Sequence, residues 1–230
     1  MIDERTQKLV LTILDRHAQS EGRPTEFELL GVNWELMDGV FAPVYTPSTG
    51  LYSSWLPYPK GGTFLEVGCG AGVTAVYAAL QGCCSVTALD ISATAVANTR
   101  KNAERHGVAD RVRVVESDVF AALEPDDRFD VIFWNSGYAE APADFVYETE
   151  LQHAFFDAGY RSHEAYVAGS RAHLTEGGRQ FLGFGDLGNR DLLDEIAARA
   201  GLVVRLLRQE SRTTATVTVD FQLLELMPLV

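Results

Sequence analysis

LEVGCGAG, residues 65 to 72, is the stretch that most narrows what this chain can fold into. Gly68, Gly70 and Gly72 stand between an apolar run, TFLEVG, and a helix-like run, AGVTAVYAALQ. Glycines at a strand-to-helix turn permit positive φ and let backbone amides come close to a ligand. About 20 residues further on, SVTALD ends in Asp90, and a carboxylate at a second strand tip can accept both hydroxyls of a ribose. The glycines run G-x-G-x-G. Dinucleotide sites need G-x-G-x-x-G and seat a pyrophosphate on the helix N-terminus.

The alternation continues down the chain. SATAVANTRKNAERHG reads as a helix, RVRVVESD and DVIFWN as strands, RQFLGFG as a strand and NRDLLDEIAARAG as a helix. Strands alternating with helices give a parallel sheet covered on both faces. VVRLLRQE and ATVTVDFQLLEL, joined by SRTT, predict a closing antiparallel hairpin. Upstream, Leu9, Val10, Ile13, Leu14 and Ala18 predict an amphipathic helix over residues 3 to about 20. A second short helix is expected at Glu26 to Leu30. Four prolines in residues 38–60 predict an ordered, aromatic loop or lid without a regular element. A long helix is expected from Thr149 to Leu174, ended by Glu176-Gly177-Gly178.

With 230 residues, 47% of them hydrophobic, the chain can bury one sizeable core. The expected division is an N-terminal segment and lid, 1–60, over a body, 61–230, in a single compact domain. A net charge of −13 argues against general binding to nucleic acid or anionic membranes. Cys69, Cys83 and Cys84 have no disulfide or zinc spacing, so no metal is expected and a reducing cytoplasm is. No stretch approaches the ~20 apolar residues of a membrane span, and the N-terminus has no signal-peptide core.

LEVGCGAG, LDIS, ESDVF and a strand ending in Asn together resemble the class I S-adenosylmethionine (SAM)-dependent methyltransferases, over residues 62 to about 225. The resemblance implies a doubly wound, seven-stranded, mostly parallel sheet with a C-terminal antiparallel hairpin. It also implies SAM as cofactor. Glu66, Gly68 and Gly70 would surround its amino-acid end, Asp90 would hold the ribose and Ile91 would pack on the adenine. Asp118 would accept from the adenine amino group, or cap the next short helix, and Val119 would pack on the other ring face.

A sulfonium is stabilised by aromatic faces, at about 0.5–2 kcal/mol per good contact. Tyr45, Tyr52 and Trp134 are the leading candidates, with Trp34, Phe41, Trp55 and Tyr138 behind them. Helical spacing would bring His153 and Asp157 together, and Tyr160-Arg161 would cap the pocket. In relatives acting on nitrogen this strand commonly ends Asn-Pro-Pro-Tyr. Here it reads Asn135, Ser136, Gly137, Tyr138, which keeps the amide and the aromatic but loses the fixed φ of proline. Asn135, Ser136 and Tyr138 are therefore the candidate catalytic residues. The expected reaction is methyl transfer to a nitrogen or oxygen of a small metabolite, by a monomer or homodimer. The alternative is a SAM cyclase of the same fold, resembling azetidine-2-carboxylate synthases, in which the SAM amine attacks its own Cγ and releases methylthioadenosine.

Overall fold

In a computed structural model, residues 4–19 and 22–229 are described. Helix α1 (Glu4–Ala18) matches the predicted amphipathic helix, whose outermost residues, 3 and 20, lie outside the described residues. It buries Leu9, Val10 and Ile13. The stretch expected to be a second helix is instead a hairpin, β1 (Glu26–Leu29) and β2 (Val32–Glu35). Leu30 and Gly31 turn it with φ of +57° and +72°, and Phe27 lies across from Trp34. Five residues cannot reveal a helical period, and the cross-strand aromatic pair decides for the sheet. The proline-rich segment does contain a regular element, α2 (Ser48–Trp55), capped by Pro47.

The alternating body follows as β3 (Thr63–Val67), α3 (Val73–Leu80), β4 (Ser85–Asp90), α4 (Ala93–Arg105), β5 (Val112–Glu116) and β6 (Phe129–Asn135). The expected long helix over 149–174 is not formed. A short strand β7 (Ala139–Ala141), a 3-10 turn (Glu150–Ala154), β8 (Phe156–Ala158) and α5 (Arg161–Gly169) occupy that region. Gly159 and Tyr160, with φ of +63° and +54°, break any continuous helix there. The chain closes with β9 (Leu174–Gly185), which absorbs Glu176-Gly177-Gly178, then α6 (Arg190–Arg199), β10 (Leu202–Thr214) and β11 (Val217–Pro228). The expected turn SRTT belongs to β10, and the reversal falls at Ala215, where φ is +56°.

Seven strands form one sheet in the order β10-β11-β9-β6-β3-β4-β5. The strands from β9 across to β5 run parallel, and β11 is antiparallel to both its neighbours. Consecutive strand residues face opposite sides. Phe64, Phe133 and Phe181 pack with α1, the β1–β2 hairpin and α3 on one face. Leu65, Ile132 and Leu182 pack with α5 and α6 on the other. The central parallel strands β3, β4 and β6 are thus buried on both faces, and the C-terminal tips of the parallel strands share one edge of the sheet.

Two fully buried amides fasten the hairpin to that edge. Asn98 on α4 accepts from the Met37 N–H (2.7 Å) and donates to the Glu35 carbonyl (2.9 Å). Asn102 accepts from the Glu35 N–H (2.8 Å) and donates to the carbonyls of Glu35 and of Ala71 in the glycine turn (2.8 Å each).

Candidate active site

Gly68, Gly70 and Gly72 all take positive φ, at +65°, +54° and +81°. A Cβ on Gly70 would meet open space, so its surface faces the cavity. Gly72 caps α3, and a Cβ there would lie 2.8 Å from Thr99. Asp90 accepts from the N–H of Gly70 (2.8 Å) through one oxygen and of Ser92 (3.0 Å) through the other. Each carboxylate oxygen keeps a lone pair for a ligand. Burial raises the Asp90 pKa against the pull of these two donors. Glu66 is buried beneath the turn and accepts from the Ala75 N–H (2.7 Å). Burial pushes its carboxyl up to about 8.

A single cavity runs from this turn to the tip of β6. Ile91 and Asp118 line it and are exposed; Val119 is buried in its wall with a φ of +48°, rare for a β-branched residue. Asp118 caps no helix. The Ser117 hydroxyl makes that local bond instead, accepting from the Ala122 N–H (3.0 Å). Trp134 lies across the turn, its Nε1 3.1 Å from where a Cβ on Gly68 would stand.

Asn135 pairs in register with Gly183 of β9, and its Nδ2 donates to Thr49 Oγ1 (3.4 Å). Ser136 is 4% exposed and donates both its N–H (3.2 Å) and its hydroxyl (2.9 Å) to the Gly183 carbonyl. Its hydroxyl fastens the turn to the sheet, and the residue lines the cavity. A Cβ on Gly137 would fall 2.9 Å from the His153 carbonyl. Tyr138 lines the cavity beside Gly185 and Phe184, and burial raises its pKa.

Several expected partners lie elsewhere. Tyr52 is fully buried and donates to the Phe184 carbonyl, and Tyr45 packs edge-on against His17. Neither lines the cavity, nor do Trp34 and Trp55; Phe41, Trp134 and Tyr138 do. His153 stacks on Tyr147 (ring centroids 3.7 Å apart), and burial lowers its pKa. Asp157 binds His163 (2.7 Å) instead of His153. Burial works to raise the Asp157 pKa, but the bonds from His163 and Ser162 outweigh it and hold it low. Tyr160 is fully buried, donating to the Tyr138 carbonyl (2.6 Å) and accepting from the Asn189 N–H (2.8 Å). Neither it nor Arg161 borders the cavity.

Other lining residues carry no local sequence signal. Leu9, Val10 and Ile13 of α1 reach the cavity, as do Leu187 and Phe221 from the far end of the chain. Glu150 reaches back to accept from the Ser92 hydroxyl (2.6 Å).

A methyltransferase-domain family model matches residues 64–155, which hold the glycine turn, Asp90, Asp118 and Asn135. A ribosomal RNA small subunit methyltransferase C from Enterobacter sp. (strain 638) is 31% identical over 195 residues, 78% of this chain and 51% of that protein. Residues 64–155 are a methyltransferase domain, on the fold of the class I SAM-dependent methyltransferases. A release factor glutamine methyltransferase from Rhodopirellula baltica is 44% identical over 77 residues, 33% of this chain and 26% of that one. The chain thus spans a quarter to a half of the length of these curated relatives. The fold agrees with a solved methyltransferase from Pyrococcus furiosus, with a TM-score of 0.57 at 18% identity over 99% of this chain and 100% of that one.

This methyltransferase domain has the donor set its cofactor needs. SAM carries a sulfonium and an ammonium beside one carboxylate, and the titratable acids at the site are Glu66, held largely protonated by burial, and the carboxylates of Asp90, Asp118, Glu150 and Asp157. Among the described residues no lysine or arginine lines the cavity, no cluster could hold a metal ion, and no helix is long and apolar enough to cross a membrane. The three cysteines are free thiols.

Proposed function

We propose that this chain transfers the methyl group of SAM to a nitrogen or oxygen of a small metabolite. The observation that carries this reading is the continuity of one cavity from the glycine turn and Asp90 to Asn135. SAM supplies a methyl group on a cationic sulfur that a nucleophile can displace. Glu66, Gly68 and Gly70 hold the amino-acid end, Asp90 the ribose, and Ile91, Asp118 and Val119 the adenine. Trp134 and Phe41 present aromatic faces to the positive charge. Asn135 orients the nucleophile, Tyr138 lines its approach, and Ser136 holds the turn. Residues 1–60 serve as the cover of the site and 61–230 as its SAM-binding body, within one unit. Alignment and exclusion of water are the means of catalysis.

The test is mass spectrometry of incubations with SAM, with and without small amines and alcohols. S-adenosylhomocysteine and a methylated product that both require the acceptor support the reading. Methylthioadenosine with a cyclic imino acid, formed from SAM alone, would instead establish intramolecular cyclisation. Asn135→Ala should lower turnover about 100-fold, the cost of a misaligned reactant, while SAH binding by calorimetry largely survives. Equal collapse of both would make Asn135 structural.

A further inference from the structure

We infer that the end of the cavity beneath α1 is an acceptor subsite for a small, uncharged molecule with an apolar body and an N–H group. This rests on the methyl-transfer reading and adds the class of acceptor to it.

The cavity is divided by polarity. Its acidic side chains come from β3 beneath the glycine turn, from the tip of β4 and just beyond β5, and from the 3-10 turn and β8. The other end is walled by Leu9, Val10 and Ile13 of α1, with Phe155, Leu187 and Phe221, each at most 8% exposed. The Thr6 hydroxyl, also in this wall, donates to the Leu187 carbonyl (3.3 Å). An anionic acceptor would lose its hydration here and find only like charge, since no lining lysine or arginine is present among the described residues.

The exposed lining residues include Ile91, Asp118 and Glu150 on the carboxylate side and Gly39 in the N-terminal segment. The apolar wall is itself buried, and α1 is fastened over it at both ends. Arg5 pairs with Asp186 (2.8 Å) and donates to the Thr218 carbonyl, tying the start of α1 to the sheet. His17 ties its other end, donating from Nδ1 to the Ile13 carbonyl (2.8 Å) and accepting the Ala42 N–H at Nε2 (2.8 Å). A molecule that enters must be small enough to sit against this buried apolar wall.

Asn135 stands where the two ends meet. Its Nδ2 is engaged with Thr49, and among the described residues nothing donates to its Oδ1. That oxygen is an acceptor without a donor in a part-buried place, and an acceptor N–H completes it.

The experiment uses benzamide and benzoate, which share a shape and differ in charge and in N–H groups. Binding of each to the protein without cofactor is followed by saturation-transfer NMR and calorimetry. Benzamide should bind about tenfold tighter than benzoate, or better. Val10→Phe, which fills the space against that wall, should abolish benzamide binding and leave SAH affinity intact. Leu9→Ala, which enlarges it without crowding, should admit 2-naphthamide where the parent chain does not. Equal or tighter binding of benzoate overturns the inference. So does benzamide binding that survives Val10→Phe, or Leu9→Ala with no gain for 2-naphthamide. Loss of SAH binding by the parent chain would sink the methyltransferase reading itself, whichever probe binds.

Discussion

The tips of the adjacent strands β3 and β6 both turn on glycine, but they need it for different reasons. After β3, three glycines adopt left-handed φ, and Gly70 shows bare backbone to the cavity. After β6, Gly137 has no left-handed φ. It is small because the backbone of His153 and Ala154 lies against it, with atoms 2.9 Å from where its Cβ would be. The first turn needs a conformation and the second needs a missing side chain. A proline at residue 137 would meet the same backbone, so the departure from Asn-Pro-Pro-Tyr is explained by packing. Rigidity comes here from the Gly183 carbonyl, which takes both the N–H and the hydroxyl of Ser136.

Substitutions can break this contrast. The largest loss of stability is expected from Gly72→Ala, which meets both demands at once. It adds left-handed strain of about 1–2 kcal/mol to overpacking of about 1–3 kcal/mol against Thr99, read by urea denaturation. Gly137→Ala carries the overpacking alone, about 1–3 kcal/mol, and should disturb catalysis more than SAH binding. A Gly137→Ala protein as stable and active as the parent would remove the steric account of that turn.

Glu66 sharpens the comparison through pH. Its folded pKa of about 8 lies above its unfolded value of 4.5, so the folded chain holds a proton that the unfolded chain has lost. Stability should therefore fall as pH rises between those values, by up to about 1.4 kcal/mol per unit. Glu66→Gln should flatten this slope in thermal melts at pH 6 to 9; an unchanged slope would place the titration elsewhere. Gly70→Ala should have the smallest effect on folding, about 1–2 kcal/mol of strain with no collision. It should weaken SAH binding all the same, because the new methyl projects into the cavity. If SAH affinity is unaltered, Gly70 does not face the cofactor.

Much of the body was legible because its signals are local. The glycine spacing, Asp90 at a strand tip and the alternation of strands with helices each fit within about thirty residues. The misread elements hinge on chirality or distant pairing. Leu30 in a left-handed turn is not what leucine suggests, and Phe27 reads as sheet only once Trp34 lies across from it. The apolar spacing from Leu151 to Val167 resembles a helix until Gly159 and Tyr160 turn left-handed. In the site, the spacing of Leu9, Val10 and Ile13 announced a buried face but not what it covers. Its neighbours Leu187 and Phe221 stand near the other end of the sequence. Tyr45 and Tyr52 had the right chemistry in the right segment, yet the latter is spent holding α2 against β9.

Asn102 makes the N-terminal hairpin a working part of the glycine turn. One side chain holds Glu35 through both backbone groups and the Ala71 carbonyl through the same amide nitrogen. A chain trimmed to begin at residue 61 would keep every residue of the glycine motif, but Asn102 would have lost two of its three bonds. The motif's amides would then exchange with solvent faster, and a fragment retaining the whole motif would be a poor stand-in for the intact chain.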